Sequence, residues 1–243
     1  MKSKRIFALA FFSLFAVLAA AAFSFTPMSA SIAPSGAQSV LSFRVNNDTG
    51  QSIAVVIKVM TRSIDIEGVE TNAEVGKDFV VFPTRVVVQP NSFQTVKVQY
   101  KGLPNPAREL SYRVIAEQVP IDFTKQETSG VKVLFKYIAA LYVTPPRVSA
   151  KLAVEKATAA VKDGVKGLRV VIRNDGTRHA LVTNPQLKLQ AGDSSLPIVL
   201  ANEQVSSIDG QNILPASSRA FFVPYEGAVD GTTYTGTITA EIE

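Results

Sequence analysis

The chain has 243 residues, 47% of them hydrophobic, with no cysteine, no tryptophan and a formal net charge of +5 at pH 7. The lack of cysteine excludes disulfides, thiolate metal sites and cysteine nucleophiles, so apolar cores alone must hold the fold. The charge is not spread evenly: Lys2, Lys4 and Arg5 stand before an uncharged run from Ile6 to Phe25 that contains Ala20-Ala21-Ala22. A basic start, an apolar stretch and an Ala-x-Ala site predict an export signal over residues 1–22. The competing reading is an uncleaved anchor, since about 20 apolar residues span a bilayer; the small residues at the distal end and the lack of a following basic cluster favour cleavage. With the leader gone its three cations go too and +5 falls to +2, which removes the case for nucleic-acid binding and for stable membrane insertion. About 220 residues remain, enough for two domains of roughly 100 to 120 each.

Taken in order, the apolar runs are short and alternating. Val40-Leu41-Ser42-Phe43-Arg44-Val45 ends at the polar cluster Asn46 to Gly50, and Ile53, Val55, Ile57 and Val59 alternate with Ala54, Val56, Lys58 and Met60, a second face that is also largely apolar. Phe79 to Phe82 and Arg85 to Val88 are two strand pieces broken by Pro83. Val96, Val98 and Tyr100 form another, and Leu110, Tyr112 and Val114 the next. The last and longest expected strand of this half is Val131 to Val143, stopped by Pro145-Pro146. It sets Val131, Val133, Phe135 and Tyr137 on one face and Lys132, Leu134 and Lys136 on the other. Beyond the prolines, four Asp-Gly pairs (at 163, 175, 209 and 230) separate further alternating runs, the Ala-rich piece 151–162 fitting either helix or strand. The expected architecture is all-β: two antiparallel sandwiches, residues 23–146 and 147–243, behind the leader 1–22.

Catalytic chemistry finds little support. His179, the only histidine, lies in a turn-like Asn174-Asp175-Gly176-Thr177-Arg178 context and is expected to face solvent. No Gly-x-Ser-x-Gly surrounds a serine, and no phosphate loop or dinucleotide fingerprint is present. One histidine without cysteine is a poor zinc set. Asp65, Glu67, Glu70 and Glu74 read as a solvated acidic loop rather than a calcium site. No enzyme, metal or cofactor is expected.

Several motifs resemble the periplasmic pilus-assembly chaperones of the chaperone–usher pathway. Phe82-Pro83 through Gln89-Pro90-Asn91 to Gln94-Thr95-Val96-Lys97-Val98 resembles their Phe/Tyr-Pro…Pro-Gly…Gln-x-Val-Arg-Val stretch. Glu109-Leu110-Ser111-Tyr112-Arg113 with Pro120 is similar to their Glu-x-x-Tyr-Arg…Pro strand, Leu141-Tyr142-Val143-Thr144-Pro145 to the end of their first domain, and Ile213-Leu214-Pro215 to a late element of their second. The resemblance implies two immunoglobulin-like domains in an L-shaped (boomerang) arrangement, a periplasmic location, and fimbrial subunits and an outer-membrane usher as partners. It also implies donor-strand complementation, in which the last strand of the first domain fills a groove in the subunit. Val131, Val133, Phe135 and Tyr137 would then be the donor residues.

One departure stands out. The family's Arg and Lys, which hold the subunit's terminal carboxylate, align with Ser31 and Ala140, neither of which carries charge. A divergent member would draw the charge from another strand, with Arg113 the first candidate and Lys136, Arg85 and Arg44 behind it. The plainer role for each is a solvent-facing cation or a partner of Glu109 or Glu117. Two rival functions remain: an exported two-domain immunoglobulin-like structural or adhesive surface protein, and an exported hydrolase resting on His179. The first half supplies a full strand set, which argues against a fibre subunit that lacks one.

Overall fold

The computed structural model describes residues 23–120, 133–192 and 196–242. The leader and its Ala-x-Ala site lie outside the described residues. The first half contains β1 (Ser24–Thr26), β2 (Ser29–Ile32), β3 (Val40–Asn47), β4 (Ile53–Thr61), β5 (Ser63–Ile64), β6 (Glu70–Thr71), β7 (Phe79–Phe82), β8 (Arg85–Val88), β9 (Ser92–Tyr100), β10 (Leu110–Val119) and β11 (Lys136–Val143). One sheet runs β1-β3-β9-β7 and the facing one β2-β11-β10-β4-β8. The chain changes sheets twice at short proline-containing links, at Pro27 between β1 and β2 and at Pro83 between β7 and β8, because proline cannot continue a ladder. Every second residue of the long strands points inward. Phe43, Val45, Val96 and Val98 from one sheet meet Val55, Ile57, Val114, Ala116, Ala139 and Leu141 from the other, all buried. Phe25 stacks on Phe43 at 4.9 Å between ring centroids and closes the β1 side.

The second half holds β12 (Leu152–Lys162), β13 (Val165–Asn174), β14 (Ala180–Ala191), β15 (Ile198–Ala201), β16 (Asn212–Ile213), β17 (Ser217–Pro224) and β18 (Thr233–Ile242). They pair in the order β15-β14-β18-β12-β13-β17, with β16 on β14. A second, separate core gathers Leu168, Ile172, Leu187, Leu189, Leu200, Val223 and Tyr234. The Ala-rich piece whose state the sequence left open is the strand β12. Its small side chains lie against β13 and β18, and that packing overrides alanine's helix preference. Asp163 and Gly164 turn β12 into β13 with φ of 52° and 81°, the positive values a tight two-residue hairpin requires.

Candidate functional site

On one side β11 pairs with β10 along its whole length, from Glu117↔Lys136 to Leu110↔Val143. On its other side β2 runs parallel to it but covers only Ala140 to Val143. Among the described residues, no strand pairs with that outer edge before Ala140. Among the described residues the strand begins at Lys136 and residues 133–135 lie outside it, a correction to the expected strand from Val131. Its ladder partner β10 ends at Val119, and the last backbone link is from Gln118 N–H to the Phe135 carbonyl, at 2.9 Å.

The inward row of β11 emerges from the core step by step. Ala139, Leu141 and Val143 are fully buried, Tyr137 and Phe135 half-buried, and Val133 is 64% exposed. Tyr137 donates its hydroxyl to the Phe23 carbonyl, and its ring meets Phe23 edge-on at 4.7 Å. Val133, Phe135 and Phe23, with Gln51, Ile53 and Gln118, line a cavity of about 520 Å³ at the open end of the sandwich. Val131 lies outside the described residues.

The four candidate anchors are dispersed. Arg113 on β10 lies directly across from Ala140 on β11. Its partner is neither Glu109 nor Glu117 but Glu70, whose two carboxylate oxygens accept from Nε at 2.7 Å and Nη2 at 2.5 Å. Arg62 Nε donates to the same carboxylate at 2.9 Å. Burial alone would raise the Glu70 carboxyl, but hydrogen bonds from Arg113 and Asn72 and the charges of Arg62 and Arg113 outweigh it and hold it at about 2. The acidic loop is thus not simply solvated, for Glu70 is an ion-pair centre. Lys136 faces Glu117, which pairs with Lys58 at 3.4 Å. Arg85 is exposed on β8 at the far edge of the sheet, and Arg44 lies on the outer face of the other sheet, 3.7 Å over the Phe93 ring.

His179 overturns its sequence expectation. It is only 8% exposed and stacks on Tyr142 at 3.8 Å, the rings 4° from parallel. Its Nδ1 lies 2.5 Å from Glu109 Oε1, which also accepts from the His179 backbone N–H, while Glu109 Oε2 accepts from Thr144 Oγ1 at 3.0 Å. The Tyr142 hydroxyl joins Arg62 at 3.1 Å and Asn212 at 2.9 Å. The ring therefore belongs to the joint between the two halves, since Glu109, Tyr142 and Arg62 come from one and His179 and Asn212 from the other. The β5–β6 hairpin adds a second contact across the joint. Its Ile66 carbonyl accepts from Ala220 N–H at 2.7 Å, Glu67 pairs with Arg169, and Gly68 packs under the Arg219 guanidinium. No local signal could reveal Glu70–Arg113, Glu109–His179 or Glu67–Arg169, whose members are 43, 70 and 102 residues apart in the chain.

A family profile described as the pili and flagellar-assembly chaperone, PapD N-terminal domain, matches residues 25–149. The chain belongs to this chaperone family. No curated protein matches its sequence. Among solved structures, the class 5 fimbriae chaperone CfaA is similar at 18% identity and a TM-score of 0.56, covering 91% of this chain and 100% of that one. A chain of the CsuC–CsuE chaperone–tip adhesion subunit complex, from the archaic chaperone-usher Csu pili of Acinetobacter baumannii, is similar at 16% identity and a TM-score of 0.58, covering 86% and 90%. The Pseudomonas aeruginosa CupB2 chaperone follows at 15% and 0.52, covering 89% and 99%. At these identities the likeness is one of fold, and it extends the two-sandwich chaperone architecture over nearly the whole chain. A pilus-assembly chaperone of this family is not an enzyme.

Proposed function

We propose that this chaperone binds fimbrial subunits in the periplasm by donor-strand complementation and hands them to an outer-membrane usher. The observation that carries the reading is the inward row of β11 continuing past its own core to Phe135 and Val133 beside an unpaired edge and an open cavity. A subunit lacking a strand would gain backbone pairing from that edge. Its groove would receive Val131, Val133 and Phe135, with Tyr137 at the margin where the chaperone's core begins. Each large apolar side chain so buried contributes about 1.5–3 kcal/mol before ordering costs. Binding rests on this apolar row first, and Arg113, across from the uncharged Ala140, is the anchor for the subunit's terminal carboxylate. Lys136 and Arg85 are poorer choices, because the first faces Glu117 and the second lies at the far sheet edge.

The test is co-expression of the exported protein with a subunit encoded beside it, followed by recovery of a one-to-one complex. Phe135→Asp should reduce that recovery at least about tenfold, since a charge would enter an apolar groove. Undiminished recovery with a correctly folded variant would remove β11 from the mechanism.

A further inference from the structure

Resting on the donor-strand reading, a strand added to the free edge of β11 has a fixed stopping point. Ala140 N–H donates to the Met28 carbonyl at 2.9 Å, and from there β2 occupies the edge. Since Ser29 already stands opposite Ala140, a strand running parallel to β11 must end before Ala140. Arg113 is the cross-strand neighbour of Ala140 on the other side. At about 4.8 Å between strands and about 3.3 Å per residue along them, an end one or two residues short of Ala140 lies roughly 10–12 Å from the Arg113 backbone. The side chain at Ala140 is itself only a methyl group, so an arginine side chain reaching over it would come near a terminal carboxylate there. In this structure Arg113 reaches the opposite way. Glu70, on the hairpin that follows β4, takes its guanidinium in a two-point contact of 2.7 and 2.5 Å.

We propose that Glu70 is a resident stand-in for the subunit's terminal carboxylate, holding Arg113 until that carboxylate takes the guanidinium over. The two-point geometry is the one an arginine uses for any carboxylate, including a chain terminus. Two arginines share one acid, so the Arg62–Glu70–Arg113 group keeps a net charge of +1 and still attracts an incoming anion. Glu70 is the most open of the three side chains, at 26% exposure against 18% for Arg113 and 8% for Arg62, so its carboxylate has the freest path to solvent. Arg62, tied also to Tyr142, would keep Glu70 after the exchange and avoid leaving a bare carboxylate. The stand-in holds Arg113 in order while the chaperone is empty, and a chain without a free terminus leaves that pair in place.

The experiment compares two synthetic probes, a peptide of alternating valine and threonine ending in a free carboxylate and the same peptide with a C-terminal amide. Binding to the full mature protein is measured by fluorescence anisotropy. Glu70→Gln keeps an acceptor for the arginines, and its fold is checked by circular dichroism and its unfolding midpoint. It should bind the free-acid peptide about tenfold more tightly than the unmodified protein, with the amide unchanged. Adding Arg113→Gln should abolish that gain. The proposal is overturned if Glu70→Gln shifts acid and amide equally, shifts neither, or keeps its gain without Arg113. If neither peptide binds any of the proteins, the donor-strand reading itself fails, an outcome distinct from equal binding of both.

Discussion

Glu109→Ala tests whether the joint between the sandwiches is held by the buried carboxylate. The Glu109 side chain is fully buried and accepts three hydrogen bonds, from Thr144 Oγ1 at 3.0 Å, His179 N–H at 3.1 Å and His179 Nδ1 at 2.5 Å. Alanine leaves three donors without their acceptor, and each buried orphan costs about 1–3 kcal/mol. Water entering the vacated joint satisfies part of that need, so the lower end applies and the total is about 3–4 kcal/mol. For a chain of this size each kcal/mol moves the midpoint by about 2–4 °C, giving a fall of roughly 10 °C. Thermal and urea unfolding of the protein, followed by far-ultraviolet circular dichroism, measures it. Glu109→Gln keeps one oxygen acceptor and should cost about half as much. A loss below about 0.5 kcal/mol for the alanine variant would refute the reasoning, since that is the scale of an ordinary surface substitution.

Two further outcomes follow from the hairpin. The folded-state carboxyl of Glu70 sits at about 2, below its ordinary 4.5, so its contribution is fully present above about pH 4.5 and fades as the pH falls toward 2. With a quarter of the side chain exposed to screening water the contribution is about 1 kcal/mol, and unfolding free energies at pH 5 and 2.5 should converge more in Glu70→Gln than in the unmodified protein. Gly68 has φ of 93°, and a Cβ there would lie 2.5 Å from Arg219 Nη2, so Gly68→Ala should cost about 1–2 kcal/mol and loosen the hairpin's hold on the second sandwich. Urea unfolding reads the first effect, and faster hydrogen exchange at Ala220 N–H, which donates to the Ile66 carbonyl, reads the second.

The elements the sequence revealed are those whose physics is local. Alternation at Ile53, Val55, Ile57 and Val59 becomes the inward face of β4, and the Pro83 break becomes a change of sheet, because side-chain period and a missing N–H act within a few residues. The face assignment of Phe135 and Tyr137 has the same source. The start of β11 was misjudged because alternation does not tell how far a strand stays paired: β10 runs on to Val119, but its ladder with β11 stops at Glu117↔Lys136. Glu70 and His179 were misread for a stronger form of the same reason. An acid among acids and a histidine beside Asp-Gly look solvated until a distant strand delivers Arg113 to one and Glu109 to the other.

The joint also bears on dividing the molecule for expression. A gene fragment ending after β11 would produce a sandwich with its own core but with Tyr142, Glu109 and Arg62 opened to water in place of His179 and Asn212. The complementary fragment would lay bare Leu214 and the Arg219 guanidinium, both now nearly covered. Neither half's core would be breached, so both fragments should fold. Each would carry a newly uncovered patch of mixed charge and aromatic surface, and mixing the two fragments should let those patches find each other. Reassembly from separately made halves would give a direct measure of how strongly the joint holds, free of the peptide link that now masks it.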